Sequence, residues 1–269
     1  MKRQRKRSRI TRTFVFSAMF LGCTISTISQ GSVKAYIGYV NISSLPANKS
    51  PMSSMRRDAI QQTASTLGAR GALAYRSLQI NHLLNNQSRL LDGIFNFNRL
   101  LLPHNVLPPV LETSSNSMSE NSNTAIRGSS RTYRLIQQAK FVTVAPTWRS
   151  YLIMNYKKPE VPSHILLPQN RDEAQLWNQS LTQGWKQGII QANQIFEANL
   201  NRLKRDIDGM ILYQRLLTQR MISAPKVTTT KLGITGNAQQ ININDYIKLI
   251  TRSAQLQTDS RQWRAIIVH

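Results

Sequence analysis

The sequence predicts an α+β fold, a predominantly helical single domain with a small antiparallel sheet or hairpin toward the C-terminus. Helix is predicted by apolar residues that recur every three or four positions over residues 170–222, the spacing of one helix face. A hairpin is predicted by two β-prone runs, 227–230 and 241–244, which flank a turn at Gly236-Asn237. The chain has no internal repeat and no second compositional regime, so residues 53–269 are expected to form one domain.

The first 22 residues predict a signal peptide. Seven cations, with no acidic residue among them, precede an apolar stretch over residues 14–22: Lys2, Arg3, Arg5, Lys6, Arg7, Arg9 and Arg12. A helix needs about twenty apolar residues to cross a bilayer, and this stretch has about nine. It therefore fits a leader that is removed after export, and it is too short for a lasting transmembrane anchor.

Cys23, the only cysteine of the chain, directly follows this leader and is predicted to be lipidated. Small Gly22 before it fits lipoprotein processing, although Phe20 stands where leucine is most common. The alternative is an ordinary signal peptide with cleavage elsewhere, for example after Ala35. Thr24 is not the aspartate that retains lipoproteins in the inner membrane, which favours the outer membrane, facing the periplasm. Residues 23–52 are rich in Ser, Asn and Gly and predict a tether.

Glycines suggest interruptions in both helical regions. Residues 55–84 are interpreted as two helices, the first capped by Ser53 or Ser54, with a break near Gly68 and Gly71. The long region over 170–222 starts with Asn170 and Glu173, which resemble a capping box. A break is expected near Gly184, Gly188 or Gly209, because a single helix of this length would reach about 80 Å. The Gly184 and Gly188 spacing predicts tight packing between soluble helices.

The middle of the chain predicts less regular structure. Residues 94–111 contain three prolines and are interpreted as an extended, buried connection. The Ser- and Asn-rich residues 113–124 predict a mobile surface loop, and residues 124–143 have β character. Pro146 begins a short helix that contains Trp148 and Tyr151.

The chain offers little of what catalysis needs. No phosphate loop, dinucleotide-binding turn or nucleophile elbow occurs, and the four histidines lack metal-site spacings: His82, His104, His164 and His269. The carboxylates have simpler interpretations: Asp172 and Glu173 at a helix start, Asp206 and Asp208 in ion pairs with Lys204 and Arg205, and Asp92 and Asp245 buried with a partner such as an arginine. We expect no enzymatic activity, no cofactor and no metal.

The chain is strongly basic. Removing the seven leader cations from its 35 basic residues leaves 28 against 12 acidic residues, a charge of +16. Such a surface attracts phospholipid headgroups, acidic proteins, peptidoglycan and nucleic acid alike. The interleaved aromatics or groove-binding basic helix of nucleic-acid modules are missing from the sequence, and the basic run 202–205 fits a solvated helix face.

Several long segments together resemble the DotC family of lipoproteins of the Dot/Icm type IVB secretion system, which is related to IncI-type conjugation lipoproteins. The resemblance covers about residues 55–265 and rests on these segments: 68–74, 94–111, Lys140-Phe141-Val142-Thr143 to Trp148-Arg149-Ser150-Tyr151-Leu152, Gly184-Trp185-Lys186-Gln187-Gly188, 203–213, Leu232-Gly233-Ile234-Thr235-Gly236 and Ile243-Asn244-Asp245. It implies no catalytic residue. Only Cys23 carries over as a functional position, the site of palmitate-type acylation.

The resemblance implies an outer-membrane lipoprotein that builds a ring-shaped core complex. Its implied partners are a DotD-like lipoprotein and a DotH-like channel protein, which the lipoproteins together bring to the outer membrane. Two other classes stay open at this point. One is a periplasmic basic protein that binds peptidoglycan or nucleic acid, and the other is a hydrolase, which would need a pocket that groups histidine with carboxylate.

Overall fold

The computed structural model describes residues 45–46, 52–122 and 125–264. The predicted signal peptide, Cys23 and most of the predicted tether lie outside these residues. Two long helices and two long hairpins account for most of the rest, as these bounds show: α1 Ser54–Asn86, α2 Ser88–Ile94, β1 Val106–Leu107, β2 Val110–Ser122, β3 Ala125–Gln137, β4 Lys140–Phe141, α3 Trp148–Leu152, α4 Arg171–Thr218, β5 Lys226–Asn237 and β6 Gln240–Arg252. The prediction of a helix-dominated α+β fold with a C-terminal hairpin is confirmed.

The described residues group into two compact units, and α1 and α4 contribute residues to both. The first unit contains residues up to Tyr75 together with 157–190. Its core consists of apolar side chains from the facing helix surfaces: Ile60, Ala64, Leu67, Ala72, Trp177, Leu181 and Trp185. Burial of each large side chain stabilises this unit by about 2 kcal/mol.

The second unit contains residues 76–156 and the chain from 191 onward. Its main cluster joins the start of β2 to the end of α4 and to the segment after β6, through Leu111, Tyr213, Leu216, Ile222 and Ala254. Gly209 of α4 lies where a Cβ would be 2.6 Å from the carbonyl oxygen of Leu111. The glycine therefore allows β2 to start directly against the helix.

Both predictions of a helix break are wrong. α1 runs through Gly68 and Gly71, and α4 runs through Gly184, Gly188 and Gly209, each without interruption. The physical reason is that helix packing outweighs the low helix propensity of glycine, which costs only about 1 kcal/mol per residue. A Cβ on Gly68 would lie 3.0 Å from the Trp185 nitrogen, and one on Gly184 would overlap the carbonyl oxygen of Ser65. The predicted tight packing at Gly184 and Gly188 is confirmed.

The helix starts follow the predicted capping. The Ser53 hydroxyl accepts a hydrogen bond from the backbone N–H of Arg56 at 3.3 Å, so Ser53 caps α1. The Asn170 side chain accepts one from the N–H of Glu173 at 2.9 Å and caps α4. Asp172 and Glu173 lie in the first turn of α4, where the helix dipole stabilises negative charge.

The prediction of a mobile loop over residues 113–124 is wrong. Residues 113–122 belong to β2, which pairs with β3 in an antiparallel hairpin from Val110↔Gln137 to Ser122↔Ala125. The backbone hydrogen bonds of a hairpin do not require apolar side chains, so a Ser- and Asn-rich strand carries little sequence signal. The predicted β character of 124–143 is confirmed by β3 and β4. β4 pairs with β1, which lies within the buried connection predicted over 94–111.

The C-terminal hairpin is confirmed, with its turn two residues later than expected. β5 and β6 pair from Lys226↔Arg252 to Asn237↔Gln240, so the turn is Ala238-Gln239 and Gly236-Asn237 ends β5. The Asn237 side chain accepts hydrogen bonds from the N–H groups of Gln239 and Gln240 at 2.9 and 3.0 Å. These bonds close the turn.

Candidate functional site

A buried ion pair fixes the first unit where α1 and α4 begin. Glu173 is 5% exposed, and its two carboxylate oxygens accept hydrogen bonds from Arg56 Nε and Nη2 at 3.2 and 3.0 Å. The same guanidinium donates to the carbonyl oxygens of Ile165 and Leu167. Burial alone would raise the pKa of Glu173, but the bonds from Arg56 and from the Gln169 N–H outweigh it, so this pKa lies below its usual value. The pair joins three segments of the first unit.

Asp92 holds α3 in the second unit. One carboxylate oxygen accepts from Trp148 Nε1 and from Arg149 Nη1, both at 2.7 Å, and the Arg149 guanidinium lies 4.3 Å from the Trp148 ring centroid. The hydrogen bond from Arg149, followed by that from Trp148, lowers the pKa of Asp92. The predicted arginine partner is correct, but the expected burial is wrong, because the Asp92 side chain is 51% exposed.

Asp206 is the buried carboxylate of α4. It accepts from the Tyr151 hydroxyl at 3.0 Å and from Arg205 Nη2 at 2.8 Å, which confirms the predicted ion pair with Arg205. Burial and the nearby Asp206 charge raise the pKa of Tyr151 to about 12. The expected solvated face of the basic run 202–205 is confirmed for its cations, since Arg202 and Arg205 are exposed and Lys204 is half-buried, whereas Leu203 and Asp206 are buried on the other side of the helix. The hydrogen bond from Tyr151 to Asp206 therefore joins α3 to α4.

The histidines of the described residues do not converge on one site. His82 lies in α1, while His104 and His164 lie in separate 3-10 turns, and His269 is outside the described residues. Within 52–122 and 125–264, no three His, Cys, Asp or Glu side chains group to hold a metal ion. A groove of about 550 Å³ along α1 and α4 is lined by glutamines and hydroxyls, with Asp58 as its one carboxylate and no histidine. Asp245 accepts from Thr235, not from an arginine.

The largest exposed apolar feature among the described strands is the β5–β6 hairpin. Ile234 and Ile243 lie directly opposite each other, and Ile241 is two residues before Ile243 and thus on the same face. These three side chains, the isoleucine patch, are 74%, 73% and 70% exposed. Further exposed apolar residues follow along both strands: Leu232, Tyr246, Ile247 and Leu249.

The opposite face at this end of the hairpin is polar. Thr235 pairs with Asn242, accepts a hydrogen bond from it, and donates to Asp245 at 2.5 Å. Asn244, at a left-handed φ of 59°, is the extra residue of a bulge, because Ile243 pairs with Ile234 and Asp245 with Gly233. The bulge turns Asp245 onto the face of Thr235, away from the isoleucine patch. The tip is therefore two-sided, one face apolar and the other hydrogen-bonded.

The sequence predicted this hairpin, but the exposure of its apolar face was not predicted. The signal was present in the alternation Ile241-Asn242-Ile243-Asn244, since a two-stranded hairpin with nothing packed on it leaves its apolar residues exposed. No described helix is long and apolar enough to span a bilayer.

These features, a helical scaffold with a long two-sided hairpin, suit a protein that acts by contact with other proteins. A family model described as type IV secretory system, conjugal DNA-protein transfer, matches residues 54–265. The match covers most of the chain, including both units, and the chain belongs to this family. It is thus a component of a type IV secretion system. No curated protein is similar enough to count as a match.

Proposed function

We propose that the chain is an outer-membrane lipoprotein of a type IVB secretion system, similar to DotC. It is anchored by acylated Cys23, faces the periplasm and serves as a structural component of the core complex. With a DotD-like lipoprotein it helps to place a DotH-like channel protein in the outer membrane. The observation that carries this proposal is the family match over 54–265, behind a leader that ends at a lone cysteine.

The proposed role is structural and requires no catalysis. Glu173, Asp92 and Asp206 each accept hydrogen bonds from an arginine, which suits a scaffold. The exposed β5–β6 hairpin supplies an interaction surface of the kind that an assembly component needs. An acyl chain on Cys23 would hold the protein at a membrane, because each buried methylene of the chain contributes about 0.8 kcal/mol to membrane binding.

The test is Cys23→Ser in cells that carry the secretion system. Palmitate labelling is expected to disappear, and the protein is expected to leave the outer-membrane fraction, while secretion falls. As a matched control, Ser26→Cys in the Cys23→Ser background restores a thiol three residues away and is expected to restore neither labelling nor location. A Cys23→Ser protein that stays with outer membranes as wild type does would contradict the anchoring.

The same cells separate the proposal from the alternative of a basic binding protein. A charge of +16 after the leader keeps that alternative in view. Capture on peptidoglycan or nucleic acid that disappears with added salt, combined with undisturbed secretion in cells lacking the protein, would favour the alternative. The assembly role is supported if cells lacking the protein lose secretion and their DotH-like protein no longer reaches the outer membrane.

A further inference from the structure

We propose that the β5–β6 hairpin binds an extended apolar segment of a partner protein that carries carboxylates at one end, and that this segment adds to the hairpin as a third strand. The inference rests on the proposed assembly function and names the chemistry of one partner. Three features of the hairpin carry it: its open edges, its isoleucine patch and its unbalanced charge.

The edges are the first feature. β5 pairs only with β6 in the described structure, so the outer edge of each strand presents backbone N–H and C=O groups that are free to pair. A two-stranded hairpin is marginally stable in water, and a third strand satisfies the backbone groups of one open edge. Adding a strand in this way is a common mode of peptide recognition.

The isoleucine patch is the second feature. Ile234, Ile241 and Ile243 form a continuous apolar face of the tip, and each is at least 70% exposed. The same-face side chains of an added strand with alternating apolar residues would pack beside these isoleucines and bury part of their exposed surface. The polar network of Thr235, Asn242 and Asp245 keeps the other face satisfied without a partner.

The charge is the third feature, and it defines the partner. The hairpin carries four cations, Lys226, Lys231, Lys248 and Arg252, and its one acid, Asp245, is engaged by Thr235. Lys226 lies directly opposite Arg252, and like charges in that position destabilise a strand pair. None of these cations lies in a salt bridge among the described residues, although Lys248 Nζ lies 5.2 Å from the Tyr246 ring centroid. Carboxylates of a partner would relieve this repulsion, whereas a second copy of the chain would add to it.

The probe is a synthetic peptide of alternating valine and threonine with two glutamates at one end, to face the cations at the base of the hairpin. It is compared with the same peptide ending in lysines and with a peptide that copies residues 240–252. Binding to the full chain, purified in detergent, is measured by fluorescence anisotropy. The glutamate peptide is expected to bind at least about tenfold tighter than either of the others.

Two variants test the surface. Ile241→Thr with Ile243→Thr keeps β-branched side chains and is expected to weaken binding about tenfold. The matched control Ile165→Thr changes a side chain of similar exposure, 72%, outside the hairpin and is expected to bind as wild type does. Lys226→Glu creates an opposite-charge pair with Arg252, so it should increase hydrogen-exchange protection of the hairpin while weakening binding about fivefold.

Three results would overturn the inference: equal binding of the glutamate and lysine peptides, unchanged binding in the isoleucine variant, or tighter binding of the peptide copied from β6, which would assign the surface to a second copy. Its failure is distinguishable from failure of the proposed function. Cys23→Ser can still displace the protein and abolish secretion when no peptide binds, and peptide binding can persist when Cys23 proves unmodified.

Discussion

Among the described glycines, Gly184 leaves the least space for an added Cβ. A Cβ there would overlap the carbonyl oxygen of Ser65 and lie 2.8 Å from its Cα, so α1 and α4 would have to separate. Gly184→Ala is expected to lower the free energy of unfolding by about 3 kcal/mol, measured by urea denaturation. Gly93→Ala is the matched control, because Gly93 in α2 has nothing within 4 Å of an added Cβ. This control should stabilise by about 0.5 kcal/mol, and equal effects of the two would contradict the close approach.

Tyr213 predicts how the fold responds to alkaline pH. Burial raises its pKa from 10.0 to about 12, and its hydroxyl has no hydrogen-bond partner among the described residues. The neutral phenol is the form that the fold favours. The corresponding stability is therefore fully present below pH 10 and is lost as the pH rises toward 12. Tyr213→Phe should reduce this alkaline loss and change stability at pH 7 by less than about 1 kcal/mol.

Tyr151 provides the comparison for Tyr213. Its pKa is also raised to about 12, but its hydroxyl donates to buried Asp206. Tyr151→Phe leaves that carboxylate with one donor fewer and should cost about 2 kcal/mol at pH 7. Urea unfolding of both variants at pH 7 and pH 11 checks the pair. A larger loss at pH 7 for Tyr213→Phe than for Tyr151→Phe would contradict this account.

At the scale of elements, Gly233 tests the irregular part of β5. It has a φ of 82°, pairs with Asp245 beside the bulge at Asn244, and has open space around the position of an added Cβ. Gly233→Ala is therefore strained by backbone conformation alone and should destabilise the hairpin by about 1 kcal/mol. Hydrogen exchange of the β5–β6 amides measures this effect. Gly128→Ala in β3, which has an ordinary φ and equal space, is the control and should leave protection of the β5–β6 amides unchanged.

The elements also show what a sequence can predict. Periodicity identified α4 and the β5–β6 hairpin because each carries its pattern locally. The helix breaks were wrong because Gly68 and Gly184 serve a contact between α1 and α4, which lie over a hundred residues apart in sequence. Most of β2 was interpreted as a loop because this polar strand is held by backbone pairing with β3, which leaves no trace in composition.

The features of the candidate site also fall into those predicted from the sequence and those that depend on tertiary packing. The arginine partner of Asp92 was predicted from charge, whereas the side chain's exposure depends on the position of α3. The isoleucine patch was visible as alternation, but its exposure depends on what packs against the hairpin, which no local pattern records. Cys23 stays a prediction from the leader alone.

At the scale of the whole molecule, every core residue of the described part of the chain lies after residue 52. The described contacts of the preceding segment with α4 include hydrogen bonds from the Arg171 N–H to Pro46 O at 3.2 Å and from Arg171 Nε to Leu45 O at 3.1 Å. A chain that starts at Ser53 keeps its cap on α1 and should retain its helical circular dichroism. Its free energy of unfolding should fall by about 1 kcal/mol relative to a chain that starts at Thr24. A collapsed or unfolded Ser53 variant would show that the predicted domain boundary is wrong.

One asparagine decides which way the hairpin's chemistry points. If residue 244 were forced into the regular ladder, as a valine would favour, every side chain after it would change sides, and Asp245 would be carried among the isoleucines. The Asp245 carboxylate would then lie within the apolar face of the isoleucine patch, and the Thr235 hydroxyl would lose its hydrogen-bond acceptor. The sides to which the residues after Asn244 point therefore depend on the left-handed conformation of this asparagine.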